Sequence, residues 1–288
     1  MKNMAKIILT TESCSDLSKE LLEEKQILSV PFSVNFPDRT VYDGEIPIQE
    51  IYDYYQETKK IPKTNAVSPH QYTEFFEEAA GENPTSEIIH IGYSSACSCS
   101  FQNAMIGVEE CEKAKVHLID SKNVSGGLGN LTLKAAEIIA NNPQDSVAEL
   151  VLKIENFVQK THTSFVADTL DFLLAGGRVS NAAAIGAAIL RLKPRIDIVE
   201  GKLIASKKYR GRMKKIAPQF VKDFVESQDF NRDNVYLFYA LGTDTEVIEL
   251  LKTSLEKQGF RQIHVDMIGS VMTVHGGKGA IGLSATTY

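Results

Sequence analysis

Ser86-Glu87-Ile88-Ile89-His90-Ile91-Gly92-Tyr93-Ser94-Ser95-Ala96-Cys97-Ser98-Cys99-Ser100-Phe101-Gln102-Asn103-Ala104 is the stretch whose reading decides the fold. Ile88, Ile89 and Ile91 form a short apolar run with the look of a buried strand. A series of small hydroxyl residues follows. A helix then begins, with Ser100 expected as its N-cap and Ala104, Val108 and Cys111 on one face. Strand, polar turn and helix start together make an anion site, because backbone N–H groups and the helix dipole point at whatever sits there. Ser95 is the hydroxyl expected to hold a carboxylate at this turn, with Ser94 beside it.

The same unit recurs on either side. Residues 6–11 read as a strand leading into the polar turn Thr11–Ser15, with Ser15 or Asp16 expected to cap the next helix. Ile27–Phe36 reads as a second strand, with Pro31 marking an edge or bulge. Ile48–Thr58 is an amphipathic helix. Ser68 caps another, with Pro69 in its first position. Val116–Ile119 is a strand followed by a hydroxyl-rich turn and a helix from Ser125 to about Asn141. Alternating strands and helices predict an α/β fold: a mostly parallel sheet with helices on both faces, ligands binding at the carboxyl ends of the strands.

A domain change is expected near residue 162, giving units 1–162 and 163–288. The second unit opens with a strand at Thr163–Ala167. A short helix ends at Gly176-Gly177, and an alanine-rich helix is expected over Asn181–Leu192. Glu200-Gly201 reads as a hairpin turn. Alternation resumes through helices at 212–228 and Thr245–Gln258. The chain closes with Val274-His275-Gly276-Gly277-Lys278-Gly279.

Composition narrows the function classes. The chain has 288 residues, 43% hydrophobic and 24% charged, with a net charge of −6. That is the profile of a globular protein with a full core, and its charge argues against nucleic acid as the main partner. Cys14, Cys97, Cys99 and Cys111 lack the paired spacing of a zinc site, and the histidines have no His-x-x-x-His pattern, so no metal is expected. A disulfide framework is not implied either, which fits a reducing cytoplasm. No apolar run reaches the ~18 residues of a spanning helix. Gly126-Gly127-Leu128-Gly129 lacks the Lys-Ser/Thr of a nucleotide loop, so no nucleotide cofactor is expected.

Thr64 stands in a loop before a capped helix, and His275 sits among glycines that let backbone approach a ligand. Each also has an ordinary reading, as a turn residue and as a hydrogen-bonded core histidine. Ser95 and His275 could instead form an acyl hydrolase pair. No Gly-x-Ser-x-Gly elbow surrounds Ser95, and no acidic third member is evident. A basic run from Lys193 through Arg195, Lys202, Lys207, Lys208, Arg210, Arg212, Lys214 and Lys215 reverses the local sign of the charge. It reads as a solvated face or as a docking patch for an acidic partner.

Along its whole length the chain resembles the DegV family of bacterial fatty-acid-binding proteins, which includes the binding subunits of fatty acid kinase. The residues that carry the resemblance are Thr11-Glu12-Ser13-Cys14-Ser15-Asp16-Leu17, Tyr42-Asp43-Gly44, Lys63-Thr64 with Ser68-Pro69, and Ser94-Ser95-x-x-Ser98-x-Ser100-Phe101-Gln102. Asp120-Ser121, Gly176-Gly177-Arg178-Val179-Ser180, Lys193-Pro194 and His275-x-Gly-x-Gly complete the set.

The resemblance implies two α/β domains with a tunnel between them holding a long-chain fatty acid such as palmitate. It implies a non-enzymatic carrier that presents its ligand to a fatty acid kinase, with at most transient membrane contact. Carboxylate contacts carry over to Thr64 and Ser95, with His275 close by. Arg178 and Arg210 match family arginines, Arg210 being assigned to the kinase-facing surface. The Asn181–Leu192 helix, Phe165, Phe172 and Leu173 are the expected tunnel walls. Three departures stand out. Cys99 replaces a glycine, Asn65-Ala66-Val67 replaces Ser-Gln-Pro, and Glu12 replaces Asp.

Energetics agree with such a ligand. Burying a long acyl chain gains about 0.8 kcal/mol per methylene, on the order of 10 kcal/mol gross. A buried carboxylate costs several kcal/mol unless hydrogen-bonded. Two hydroxyls, a helix N-terminus and a protonated His275 would offset that cost.

Overall fold

The computed structural model describes residues 7–82, 86–182 and 192–288. The strands are β1 (Ile7–Glu12), β2 (Leu28–Val30), β3 (Ser33–Asn35), β4 (Thr40–Tyr42), β5 (Lys63–Asn65), β6 (Glu87–Gly92) and β7 (Lys115–Asp120), then β8 (Thr161–Val166), β9 (Leu192–Val199), β10 (Lys202–Arg210), β11 (Asn234–Tyr239), β12 (Gln262–Met267) and β13 (Ile281–Thr286). The helices are α1 (Lys19–Glu24), α2 (Gln49–Thr58), α3 (Pro69–Ala80), α4 (Ser100–Glu110) and α5 (Gly126–Asn141), then α6 (Val147–Lys160), α7 (Asp171–Gly176), α8 (Met213–Val225), α9 (Thr245–Lys257) and α10 (Ser270–Gly276).

Three sheets result. A parallel sheet runs in the order β2-β1-β6-β7. Its strands share one direction, so the turns after β1, β6 and β7 gather along one edge, as the hydroxyl-rich turns predict. A small antiparallel sheet, β4-β3-β5, carries Thr64. A mixed sheet runs β10-β9-β8-β13-β11-β12. One core joins the parallel sheet and its helices to the inner face of the mixed sheet, through residues such as Ile89, Leu128, Leu173 and Phe238. A second core lies on the outer face, under α8 and α9.

Several sequence expectations are corrected. The expected strand Ile27–Phe36 divides at Pro31: β2 pairs with β1, and β3 leaves for the small sheet. Proline has no N–H for a ladder and restricts the residue before it, so the chain changes sheets there. Ser18, not Ser15 or Asp16, caps α1, its side chain accepting from Leu21 N–H. Cys99 holds the N-cap position of α4 with no side-chain cap bond, and Ser100 is the first helical residue. Leu192 begins β9 instead of ending a helix. The rest of that expected alanine-rich helix falls almost wholly at residues 183–191, outside those described. The Glu200-Gly201 turn is as expected: both residues have positive φ, 48° and 76°, the backbone a two-residue hairpin requires.

Candidate functional site

The last turn of α10 meets the small sheet at one point. His275 Nε2 and Thr64 Oγ1 are 2.8 Å apart. The same small sheet grips the other end of α10. Asp43, just after β4, accepts through Oδ1 from Ser270 N–H (2.9 Å), Ser270 Oγ–H (2.6 Å) and Val271 N–H (3.2 Å). Asp16 accepts from Gly269 N–H (2.7 Å) and from Ser125 Oγ–H (2.5 Å). Carboxylates at a helix N-terminus satisfy its open donors and oppose its dipole, so α10 is fixed along its axis. Burial pushes the Asp16 carboxyl well up, against the two hydrogen bonds that favour its charged form.

Burial and the nearby Arg178 cation push His275 down to about 4, so the imidazole is neutral near pH 7. This corrects the expectation of a protonated His275. Its buried Nδ1 has no hydrogen-bond partner among the described residues. Nδ1 faces Gly176, where a Cβ would come within 2.7 Å of it, so the glycine is what lets the ring seat there. Arg178 Nη1–H donates to Gly176 O at 2.5 Å, keeping the guanidinium close to the histidine.

Two hollows meet here. A polar one of about 360 Å³ is lined by Thr64, Ser98, Asn103, Cys14, Cys97 and Cys99 among others. A narrow apolar one of about 50 Å³ is lined by Val124, Phe165, Leu173, Leu203, Phe238 and Ile268 among others. Tyr93, Arg178, Met272 and His275 line both. Among the described lining residues Arg178 is the only cation, so it carries the positive potential of the junction.

The sequence-predicted residues do not all converge. Thr64 and His275 do. Ser95 is exposed, and its hydroxyl donates to Asp120 Oδ2 at 2.6 Å; it lines neither hollow. Cys97 N–H and Ser98 N–H both bond to Ser94 O, and this tight turn carries Ser98 to the polar hollow instead. Ser94 is buried and donates to Gly201 O at 2.8 Å, docking the β9–β10 hairpin tip on the serine turn. Ser95 and His275 are not brought together, so the hydrolase pairing has no geometric basis. Phe165 and Leu173 line the apolar hollow as expected, but Phe172 packs against Tyr52 and Tyr55 and does not.

Glu12 fixes the serine turn from below. This fully buried carboxylate accepts from Tyr93 N–H (2.8 Å), Ser100 Oγ–H (3.2 Å) and the Tyr72 hydroxyl, with His90 Nε2 at 3.7 Å. Of the residues the sequence reading missed, Ser98 was one of four serines in the run, and nothing local distinguishes it. Phe238, Leu203 and Ile268 read only as core.

The basic run splits. Lys193 pairs with Asp168, Arg195 with Asp197, Lys207 with Asp223, and Lys214 with Asp244 and Glu246. Lys208, Arg210, Arg212 and Lys215 are exposed, with no ion pair among the described residues. Arg210, at the far end of β10 from the hairpin tip, lines neither hollow. A wider hollow of about 720 Å³ opens beside Lys193, Arg212 and Lys214. Two of those three cations are already paired, and it shares no lining residue with the junction. Among the described residues, no cluster of three His, Cys, Asp or Glu could hold a metal, and no helix is long and apolar enough to cross a membrane.

Known proteins share this fold. A DegV domain-containing protein of Clostridium perfringens is 30% identical over 223 residues, 77% of this chain and 78% of its own. A DegV family protein of Thermus thermophilus, described by its fatty acid binding, superposes with a TM-score of 0.87 at 26% identity, covering 98% of this chain and all of its own. The Streptococcus pneumoniae Fatty Acid Kinase (Fak) B3 protein, loaded with linoleic acid, has the same fold, with a TM-score of 0.82 at 20% identity and 98% of this chain covered. The model of a family described as uncharacterised proteins of DegV type matches residues 6–287, and with nearly every residue so matched, this chain belongs to the DegV family.

Proposed function

We propose that this protein binds one long-chain fatty acid, its carboxylate at the polar junction and its tail in the apolar hollow, and presents the head to a fatty acid kinase. The observation that carries the reading is the shared lining. Tyr93, Arg178, Met272 and His275 border both a polar opening and an apolar interior, the two environments an amphiphilic acid needs side by side. The fatty acid binding of the Thermus thermophilus relative supports it.

In this reading Arg178 supplies the charge that compensates the carboxylate. Thr64 and Ser98 supply hydrogen bonds to it, and neutral His275 donates its one N–H to Thr64. With His275 neutral, one proton is shared along the Thr64–His275 bond, so the Thr64 hydroxyl can turn its own proton toward the carboxylate while accepting from Nε2–H. Seating a tail parts the flexible side chains of Met272, Leu203 and Leu173. Arg210 lies outside the hollows and is left for the kinase. The protein works in the cytoplasm, performs no chemistry of its own and needs no cofactor.

Native mass spectrometry of the purified protein tests the reading, with about one fatty acid per chain expected. A protein that emerges empty and takes up no added acid would overturn it. With a fatty acid kinase catalytic protein and ATP, the loaded protein is expected to yield acyl phosphate, and Arg210→Glu to reduce that yield without releasing the acid.

A further inference from the structure

On the inner face of the mixed sheet, three register-paired positions form a row: Phe165 on β8, Gly282 on β13 and Phe238 on β11. Both phenylalanines line the apolar hollow. Gly282 puts no side chain between them, and the Phe238 ring lies over it. A Cβ at Gly282 would come within 2.1 Å of ring atom Cε2 and 2.2 Å of Cζ. Gly126, at the start of α5, meets the same ring from the other side, where a Cβ would come within 2.3 Å of Cδ1. The ring therefore sits in a slot made by two missing side chains.

Phe238 is buried and does not line the polar opening. Backbone walls on two sides deny its ring the rotamer freedom that Met272 or Leu203 has. Its open side is the hollow. A tail entering from the Arg178–His275 junction can push flexible side chains apart, but it cannot move a ring wedged between two backbone segments.

Resting on the fatty-acid reading above, we infer that Phe238 is a fixed wall setting the length of acyl tail this protein accepts. Gly126 and Gly282 are the positions that keep the ring out of the tail's path. Two substitutions then act in opposite directions. Phe238→Ala empties the slot into the hollow. Gly282→Ala leaves the ring no room over the sheet and drives it into the hollow.

The test offers delipidated wild type, Phe238→Ala, Phe238→Leu and Gly282→Ala an equimolar mixture of saturated acids from lauric to arachidic. Mass spectrometry identifies the acids retained, and thermal melting verifies folding. The Phe238→Ala profile is expected to move to longer acids by roughly three to four methylene groups, the space of the lost ring. Phe238→Leu moves the same way by less, and Gly282→Ala moves toward shorter acids. If Gly282→Ala does not fold, the two Phe238 variants decide. Loaded Phe238 variants that keep the wild-type profile overturn the role of Phe238 and leave the fatty-acid reading standing. A wild type that retains no acid overturns both.

Discussion

Thr64 and His275, 211 residues apart in sequence, meet in a 2.8 Å hydrogen bond where the small sheet touches the last turn of α10. The bond is the joint between the polar opening and the apolar hollow. It holds because Asp43 secures the other end of the same helix to the same sheet. The two ends are therefore coupled through one rigid turn-and-a-half of helix.

The hydroxyls proposed to serve the carboxylate can be told apart. Thr64→Ala and Ser98→Ala are each expected to weaken fatty-acid binding by about 1–2 kcal/mol, the net worth of a lost hydrogen bond in a half-buried site. Ser95→Ala is expected to change it by less than about 0.5 kcal/mol, because its hydroxyl is spent on Asp120 at the surface. Displacement of a fluorescent fatty acid measures all three. Equal losses at Ser95 and Ser98 would contradict the assignment.

Arg178 lines both hollows and is the proposed charge partner of the carboxylate. Arg178→Met keeps much of the stem and removes the cation. Affinity is expected to fall roughly 10- to 100-fold, as for loss of a charge-assisted hydrogen bond. The same variant is expected to raise the His275 pKa, because the cation that helps depress it is gone. Histidine ring resonances followed by NMR against pH would check that second effect independently of any ligand.

His275 makes the fold sensitive to acid. Its folded pKa of about 4 lies below the ordinary 6.5, so between those values the unfolded chain binds the extra proton. Its contribution is therefore complete above pH 6.5 and is lost as pH falls toward 4, up to about 3 kcal/mol in all. His275→Gln should flatten the stability profile across that window in urea unfolding. A slope unchanged by the substitution would place the acid sensitivity elsewhere.

Asp16 acts in the opposite sense. Its carboxyl is raised well above 3.8 by burial, so the folded state holds a proton that the unfolded chain has released. Its favourable contribution is full below about pH 3.8 and declines as pH rises above that. Asp16→Asn keeps an acceptor for Gly269 N–H and has no carboxyl to ionise in either state, so stability near neutral pH is expected to hold or rise. Asp16→Ala leaves Gly269 N–H and the Ser125 hydroxyl unpaired and is expected to cost about 2–3 kcal/mol. Urea unfolding of both variants measures the contrast.

Local physics was enough for most elements. The Ile88–Ile91 run, the Ser68-Pro69 start of α3 and the Glu200-Gly201 turn are each written in a few adjacent residues, because apolar periodicity, capping and positive φ act over one or two turns. Pro31 was visible as a break, but its consequence was not. Whether a strand bulges or crosses to a second sheet depends on what lies beside it.

The sequence by itself determined the α/β character, the hydroxyl-rich edge and the candidacy of Thr64 and His275. Only the tertiary structure decided that Ser98 and not Ser95 reaches the hollow, that His275 is neutral, and that two glycines hold Phe238 in place. Each of these is set by groups distant along the chain: Asp120 drawing Ser95 outward, Arg178 and burial acting on the imidazole, and α5 closing on β13 across the ring. Desolvation and close packing are properties of a filled volume, and a one-dimensional pattern does not contain them.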